Sequence, residues 1–371
     1  MSSKDIFDNP FDEGTLTKLE IFEKYFEEWL PTFVLSRFTN PIQVFDLFAG
    51  SGFDKNDIPG SPIRIIEIIN KYSTILKSKN KIVHLFFNDL NSKKIKLLEK
   101  NVSGKITGYG LSSCIEITYT NKTFSECLTD YSSILSNGCN LIFLDQNGFK
   151  EVNEVVFKQL IILERTDFMF FISSTHIHRF VERPEFQSHH PKFDTKKIKS
   201  VSRKRVHNVI CEEFSKYVPS NIKSYGLIPF SLMKEDRNNI YGLIFVCKHF
   251  LSAEKFLNIV WRQNALNGNA NYDINEDVPK NQLELFEVKK LTKIELFQSQ
   301  LRDKVITKDI KNNSDAYFFA LNEGHICGHA ASELRKMKQE KLITFDNSSP
   351  LVTYEQIFKA KRILEYKVLN T

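Results

Sequence analysis

The stretch that most constrains the fold runs from Val44 to Gly52 and reads VFDLFAGSG. It begins with apolar, β-rich residues, as a buried parallel strand does. It then breaks at Gly50 and Gly52, whose missing side chains let the backbone approach a ligand closely. Ser61 before Pro62 predicts a helix N-cap with proline at the first helical position. A strand, a glycine turn and a helix start indicate a nucleotide-type pocket at the carboxyl end of the strand.

The residues after the glycines exclude two common occupants of such a pocket. A dinucleotide fingerprint needs a third glycine where this chain has Lys55, and a P-loop needs a Gly-Lys-Ser/Thr that does not follow. The remaining common ligand is S-adenosylmethionine, whose cationic amino group Asp46 would bind while the glycine backbone approaches the methionine portion. A purely structural tight turn is the alternative. The predicted cofactor-binding residues are Asp46, Phe48, Ala49, Gly50, Gly52, Ser61, Asn88 and Asp89.

Two later strands are also predicted to end in polar residues. The strand Ile82 to Phe87 leads to Asn88 and Asp89, and a carboxylate there can accept hydrogen bonds from both hydroxyls of a ribose. A strand-end turn residue is the alternative for Asp89. The apolar strand 140–144 leads to Asp145, which we predict to orient or deprotonate the group that receives the methyl.

The alternation of these strands with helical segments predicts an α/β fold with a parallel, doubly wound sheet of the Rossmann-like type. Apolar positions from Thr17 to Leu30 indicate an amphipathic helix that Pro31 ends. This helix either caps the edge of the sheet or places Thr17 and Lys18 against the cofactor or substrate. The runs 225–230 and 241–247 predict an antiparallel hairpin that completes the sheet.

The segment 174–216 is rich in lysine, arginine and histidine. Such a segment can bind phosphate groups, and a solvated helix face is the alternative. Its histidines lack a third spaced ligand, so we predict no metal site. The predicted substrate-binding residues are Lys18, Lys196, Lys197, Arg203, Lys204, Arg205 and Arg335.

The chain is predicted to contain a domain over 1–266, a polar linker over 267–292 and a second domain over 293–371. Three helices and a hairpin (343–345 with 351–353) follow the order of a C-terminal winged helix, whose third helix, with Arg335, can enter a major groove. A protein-contact domain of the same shape is the alternative.

Composition bounds the function only loosely. A net charge of +6 over 371 residues permits a nucleic-acid partner without establishing one. The six cysteines form no Cys-x-x-Cys pair, which favours buried free thiols in a reducing compartment. With no apolar signal core and no run long enough for a membrane span, the sequence predicts a cytoplasmic protein without membrane contact.

Several motifs together resemble a known family. Asp46 to Gly52 is similar to motif I of class I methyltransferases, and the order of the motifs along the chain resembles the three-Cys-motif partner protein family. The other motifs that carry this resemblance are Thr17-Lys18, Gly60-Ser61-Pro62, Asp145-Gln-Asn-Gly-Phe149, Thr166-Asp-Phe-Met-Phe-Phe-Ile-Ser173, Tyr241-Gly-Leu-Ile-Phe245, Lys248-His249, Trp261 and Gly268-Asn-Ala-Asn-Tyr-Asp273.

The resemblance implies a class I methyltransferase fold and S-adenosylmethionine-dependent activity, often encoded beside a three-cysteine-motif protein in mobile or defence-related bacterial loci. Where methyltransferases of base amino groups carry Asp/Asn-Pro-Pro-aromatic, this chain has Asp145-Gln146-Asn147-Gly148. The leading hypothesis is a methyltransferase acting on nucleic acid. The alternatives are a non-catalytic nucleic-acid- or protein-binding module with this fold, and a protein methyltransferase.

Overall fold

The computed structural model describes residues 10–37, 39–146, 148–233, 239–275 and 291–369. The chain divides into two compact units, Met1–His249 and Phe250–Thr371. This boundary precedes the helix 250–263, which the sequence assigns to the first domain, so the division at 266 and 292 stays a prediction. Residues 276–290 of the predicted linker and 234–238 of the predicted hairpin turn lie outside the described residues.

The described residues of the first unit form a seven-stranded sheet with the order β3-β2-β1-β4-β5-β7-β6. The strands are β1 (Ile42–Asp46), β2 (Val83–Asn88), β3 (Ile115–Thr120), β4 (Cys139–Leu144), β5 (Thr166–Ile172), β6 (Gly226–Met233) and β7 (Ile240–Cys247). All neighbours from β3 to β5 pair in parallel, and β7 runs antiparallel to both β5 and β6. The predicted α/β, Rossmann-like sheet is confirmed.

One helix precedes the first strand, and the other helices of this unit connect the strands. They are α1 (Glu13–Val34), α2 (Ser61–Lys71), α3 (Ser73–Ser78), α4 (Ser92–Tyr109), α5 (Phe124–Asp130), α6 (Ser132–Asn137), α7 (Glu154–Ile161), α8 (Ser174–Phe180), α9 (Pro184–His189), α10 (Thr195–Ser200) and α11 (Val206–Phe214), with short 3-10 turns at Arg203–Arg205 and Ser215–Tyr217.

The register of the sheet brings the ends of three strands together. Asp46, the last residue of β1, lies level with Phe87 of β2 and Phe143 of β4. The residues that follow these strands therefore lie along one edge of the sheet. The order in which successive strands join the sheet reverses between β1 and β4, and ligands of open α/β sheets bind at such a topological switch point.

The first helix covers a face of the sheet. On α1, the Phe22 ring lies 4.4 Å from that of Phe143, and the Tyr25 ring lies 4.6 Å from that of Phe245. The Tyr25 hydroxyl also donates to the Asp167 carboxylate at 2.7 Å. Because its buried stripe spans strands β4 to β7, α1 packs across the sheet and does not simply cap its edge.

The prediction that α1 ends at Pro31 is wrong. The helix continues to Val34 with Pro31 inside its last turn, and the Leu35 amide still donates to the Pro31 carbonyl at 3.0 Å. A proline inside a helix deprives the carbonyl four residues earlier of its donor. That carbonyl, of Glu27, accepts instead from the Tyr72 hydroxyl at 3.2 Å, so the helix can pass the proline with its bonding satisfied.

The second unit is helical with a short antiparallel strand pair. Its elements are α12 (Phe250–Gln263), α13 (Lys293–Ile306), α14 (Asn313–Asn322), α15 (Cys327–Gln339), β8 (Ile343–Thr344), a π-helical turn at Glu355–Lys359 and β9 (Lys367–Val368). The predicted three helices are present. The predicted hairpin is wrong, because β8 pairs with β9. Leu351, at φ 53°, has a backbone that cannot continue a strand, and its carbonyl accepts from the Asn313 side chain at 3.0 Å.

Candidate functional site

The glycine turn after β1 is held against the end of β2. The Ala49 amide donates to the Asn88 carbonyl at 2.8 Å, and the Gly50 amide donates to the Asp89 carboxylate at 3.1 Å. Gly50 and Gly52 have φ of 65° and 92°, in the region that favours glycine. The turn therefore places its backbone beside Asp89, and the predicted contact of these residues with a cofactor stays a prediction.

Gly52 is also closely surrounded. A Cβ atom built on it would lie 3.0 Å from Leu98 Cδ1 and 3.3 Å from Ile63 Cγ1. Its carbonyl accepts from the Gly60 amide at 2.8 Å, which closes the loop that leads into α2. Its backbone angle therefore favours glycine, and a larger residue would also force the Leu98 and Ile63 side chains to shift.

Asp46 is completely buried at the end of β1. One carboxylate oxygen accepts from the Ser61 hydroxyl at 2.6 Å and the other from the Phe48 amide at 3.3 Å. The helix α2 begins at Ser61, and its N-cap is Gly60. The prediction of Ser61 as N-cap is therefore wrong. The Ser61 hydroxyl is oriented toward the carboxylate. A contact of Asp46 with a cofactor amino group stays a prediction.

Burial raises the pKa of Asp46 to about 7, outweighing the Ser61 and Phe48 hydrogen bonds that lower it. Between pH 3.8 and about 7 the unfolded chain ionises this group while the folded protein keeps its proton, so the folded state loses stability as pH rises through that window. A pKa that differs by one between the folded and the unfolded state changes the free energy of unfolding by about 1.4 kcal/mol.

We therefore expect the wild-type free energy of unfolding to fall more steeply between pH 4.5 and 7.5 than that of Asp46→Asn, which cannot ionise. Urea titrations at both pH values measure the difference, since the other titrating groups are common to both proteins. Equal slopes for the two proteins would contradict a protonated Asp46.

Asn88 and Asp89, at the end of β2, have different hydrogen-bonding roles. The Asn88 side chain donates to the carbonyls of Leu47 and Lys122 and accepts from the Lys122 amide and Thr120 hydroxyl, all at 3.0–3.3 Å. Asn88 therefore ties together the loops after β1, β2 and β3. Asp89 is half-buried and accepts from the amides of Gly50 and Asn91 at 3.1 and 2.8 Å. A carboxylate can accept about four hydrogen bonds, so Asp89 retains capacity for hydroxyl groups.

Lys18 lies beside Asp145. Its ammonium forms an ion pair with the Asp145 carboxylate and lies 4.5 Å from the centre of the Phe171 ring. The Lys18 side chain is only 2% exposed and that of Asp145 is 20% exposed. Lys18 therefore acts on Asp145, compensating its charge and fixing its position, while Asp145 keeps a solvent-facing part. The sequence suggested Lys18 near the site but contained no signal for this pairing.

The predicted phosphate-binding residues are distributed over several elements of the fold. Lys197 is paired with Glu212 at 2.8 Å, which raises the pKa of the lysine. Lys196 precedes it on α10, and the 3-10 turn holds the other three residues, Arg203, Lys204 and Arg205. Acidic residues from neighbouring helices thus neutralise part of a segment that looks uniformly basic in sequence. Arg335 is exposed on α15, in the second unit.

A cleft of about 570 Å³ opens beyond the carboxyl end of β5. Aromatic rings from β5, β7, α8 and the loop after β4 line it, together with a histidine and an arginine. The main lining residues are Phe149, Phe171, His176, Phe180, Arg183 and Tyr241. The sequence contained no signal for a cleft, although Phe149, Phe171 and Tyr241 each lie in a motif that carries the family resemblance, because the cleft is assembled from separate segments of the chain.

The histidines of the basic segment have individual structural roles. Buried His190 bonds the Phe149 carbonyl at 2.9 Å, and buried His207 bonds the Ser174 hydroxyl at 2.8 Å and the Leu243 carbonyl at 2.9 Å. Burial lowers the pKa of both to about 4. Within the described ranges no three His, Cys, Asp or Glu residues form a group that could hold a metal ion. None of the helices described here has the length and apolar character of a membrane span.

No protein-family model matches the sequence, and no curated protein matches it either. Solved structures do match. Trm1 from Pyrococcus horikoshii in complex with S-adenosyl-L-methionine is 11% identical with a TM-score of 0.33, over 65% of this chain and 58% of that chain. The methyltransferase domain of bacterial CtHen1-C is 10% identical with a TM-score of 0.30, over 60% of this chain and 97% of that chain. Residues 961–1257 of StiE O-MT are 11% identical with a TM-score of 0.23, over 64% of this chain and 80% of that chain.

The chain therefore spans less than two thirds of the length of the Trm1 structure that it matches. The overlaps are remote in both identity and geometry. The strand order and register of the chain itself define an α/β, Rossmann-like fold.

Proposed function

We propose that the chain is an S-adenosylmethionine-dependent methyltransferase that acts on nucleic acid. The observation that carries the proposal is the arrangement at the edge of the sheet, where the glycine turn, Asp89 and Asp145 follow β1, β2 and β4. The solved structures of the methyltransferases Trm1 and CtHen1-C, one of them with this cofactor, match the chain remotely and agree with the proposal.

The residues present fit the cofactor. Gly50 and Gly52 give the turn after β1 its positive φ angles and hold its backbone beside Asp89, which has unused acceptor capacity for the two ribose hydroxyls. When bound, S-adenosylmethionine supplies an electrophilic methyl group on a sulfonium. Phe48 and Ala49 are proposed to contact the cofactor from the same turn. Asn88 supports the turn through its hydrogen bond to the Leu47 carbonyl, and Ser61 supports it through its hydrogen bond to Asp46.

Asp145 is proposed to orient the acceptor group and to accept its hydrogen bond or proton. The solvent-facing part of its carboxylate is held rigidly because Lys18 binds the other side. Holding an acceptor in line with a reactive centre supplies much of the rate enhancement in transfers of this kind. Lys18 is in this scheme a positioning residue.

The finer parts of the proposal concern the partners. Membership in the three-Cys-motif partner family would place a three-cysteine-motif protein among the partners, in the cytoplasm. The helices α13 to α15 with the β8–β9 pair fit a winged-helix-like domain, on which exposed Arg335 would contact phosphate. Lys196, Lys197 and Arg203 to Arg205 would add phosphate contacts, though the pairing of Lys197 with Glu212 weakens its part.

Methyl transfer tests the proposal directly. The protein is incubated with cofactor tritiated at the methyl group and with separate DNA, tRNA, rRNA and protein fractions of one bacterial lysate. We expect label in a nucleic-acid fraction. Label in the protein fraction alone would contradict a nucleic-acid acceptor, and no label in any fraction, despite measured cofactor binding, would contradict the enzyme assignment.

Asp89→Asn is expected to weaken binding of S-adenosylhomocysteine about 10- to 100-fold, because a neutral amide replaces a charged acceptor of hydroxyl groups. Isothermal titration measures the change. Asp309→Asn, which alters an exposed aspartate of the second unit, serves as the matched control and should bind as the wild type does. Equal affinity of wild type and Asp89→Asn would remove Asp89 from the cofactor site.

A further inference from the structure

The aromatic cleft, defined by Phe149, Phe171, His176, Phe180, Arg183 and Tyr241, adjoins the predicted reaction end of the site. Its loop wall, Gly148 to Lys150, begins three residues after Asp145. Its β5 wall is Phe171, whose ring is also contacted by Lys18, the partner of Asp145. A group bound in the cleft would therefore lie next to the residues to which the proposed function assigns the acceptor.

The aromatic rings of the cleft are arranged for a flat ligand. Phe171 of β5 and Tyr241 of β7 stack with their centres 5.5 Å apart and their planes 13° from parallel. Phe149 packs on Phe186 at 5.1 Å, and these two rings are buried, with exposed fractions of 4% and 1%. Rings fixed in this way offer a stacking surface without a further cost in side-chain entropy.

His176 adds a polar group among these rings. Its imidazole lies 4.7 Å from the Phe180 ring and 5.9 Å from the Phe149 ring. Partial desolvation, together with nearby Arg179 and Arg183, lowers the pKa of the largely exposed His176, so the neutral imidazole predominates at pH 7. A neutral imidazole carries one donor and one acceptor, the combination that the hydrogen-bonding edge of a nucleobase can satisfy.

Cationic groups lie at the rim of the cleft. The Arg183 guanidinium stacks on Phe180 at 4.2 Å, and Lys150 is paired with Glu185. Arginine can bind a phosphate while it is stacked on a ring, whereas the charge of Lys150 is already compensated. Arg183 therefore provides the site for a backbone phosphate adjacent to the stacked group.

We propose that the cleft binds a single nucleobase of a single-stranded nucleic-acid segment, stacked against the Phe171–Tyr241 pair, with its phosphate on Arg183. The cleft volume of about 570 Å³ lies in the usual range of small-molecule sites and accommodates a nucleotide. That this base is the acceptor of the methyl group rests on the proposed methyltransferase function. This assignment places the acceptor atom on a base, not on a ribose or a protein side chain.

Oligonucleotide binding tests the inference without cofactor. The probe is a 12-nucleotide, fluorescein-labelled RNA of mixed sequence, measured by anisotropy, and the same probe with 4-thiouridine is crosslinked by light and mapped by mass spectrometry. Phe171→Leu and Tyr241→Leu should each weaken binding at least about fivefold, as loss of a base–aromatic stack does. Arg183→Gln should also lower the slope of log affinity against log salt by about 0.7.

Matched controls come from exposed residues elsewhere on the first unit. Tyr109→Leu on α4 and Arg37→Gln after α1 should bind RNA as the wild type does. The crosslinks should fall on peptides that contain Phe171, His176 or Tyr241, a readout that does not depend on any variant folding. Crosslinks confined to residues 192–205 or to α15, or unchanged affinity in both aromatic variants, would overturn the inference.

Calorimetry with S-adenosylhomocysteine separates this inference from the proposed function. Cofactor binding without any RNA binding would overturn the base cleft and leave the cofactor site intact. RNA crosslinked in the cleft without cofactor binding would support the base cleft and overturn the methyltransferase assignment.

Discussion

Asp145→Ala is expected to reduce methyl transfer at least about 100-fold while cofactor affinity stays within about twofold. The physical reason is that Asp145 is the partly exposed carboxylate at the end of β4, and its position is fixed by the ammonium of Lys18. Its removal takes away the acceptor's hydrogen-bond partner but leaves the glycine turn and Asp89 in place. Single-turnover transfer rates and calorimetric titration measure the two quantities separately.

The same substitution leaves the buried Lys18 ammonium without its partner, which can cost about 3–5 kcal/mol of stability. A double variant, Lys18→Met with Asp145→Leu, removes both charges and should recover most of that loss while transfer stays low. Glu67→Ala is the matched control, because it breaks another lysine–carboxylate pair, Lys105–Glu67 at 3.0 Å, away from the strand ends. Recovery of transfer in the double variant would show that Asp145 serves stability alone.

Gly52→Ala is expected to destabilise the protein by about 2–5 kcal/mol and to weaken cofactor binding. A side chain at φ 92° is strained, and its Cβ would lie 3.0 Å from Leu98. The strain contributes about 1–2 kcal/mol and the overpacking about 1–3 kcal/mol. Urea unfolding measures the loss of stability, and titration with S-adenosylhomocysteine measures the loss of affinity.

Two other glycines separate these causes. At Gly110, φ is 63° and a Cβ would meet nothing within 4 Å, so Gly110→Ala should cost only the strain, about 1–2 kcal/mol. At Gly104, inside α4, a Cβ would also meet open space, and Gly104→Ala should stabilise the helix by up to about 1 kcal/mol. Equal costs at Gly52 and Gly110 would show that the space beside Leu98 is not limiting.

The sheet was predictable because its signals are local. Apolar runs that end in Asp46, Asn88 and Asp145 each mark a buried strand, and helical segments between them require parallel pairing. The edge at which the strands end then follows from topology. For the same reason the glycine turn and Asp89 could be placed together on sequence grounds alone.

What could not be predicted depends on contacts between distant segments. Pro31 normally ends a helix, and only the Tyr72 hydroxyl, 41 positions later, shows why α1 continues. The pairing of β8 with β9 likewise depends on the backbone at Leu351, where a β-rich run adopts φ 53°. The local sequence preferences around Pro31 and Leu351 predict neither the continuation of α1 nor the pairing of β8 with β9.

The site shows the same limit. Ser61 looks like a helix cap in sequence, but its hydroxyl bonds Asp46, because burial of that carboxyl requires a donor. Lys197 looks like a phosphate ligand, but Glu212 on α11 is paired with it. Residues that contribute to the aromatic cleft, such as Phe171 and Tyr241, are read as ordinary strand residues until the sheet brings them together.

The central claim is that the strand-end site binds S-adenosylmethionine, and calorimetric titration of the full chain with that cofactor at pH 7.5 tests it most directly. The prediction is saturable binding of one cofactor per chain, accompanied by a rise in thermal unfolding temperature and weakened by Asp89→Asn but not by Asp309→Asn. No heat and no thermal shift at millimolar cofactor, or binding that is the same in both variants, would contradict the claim.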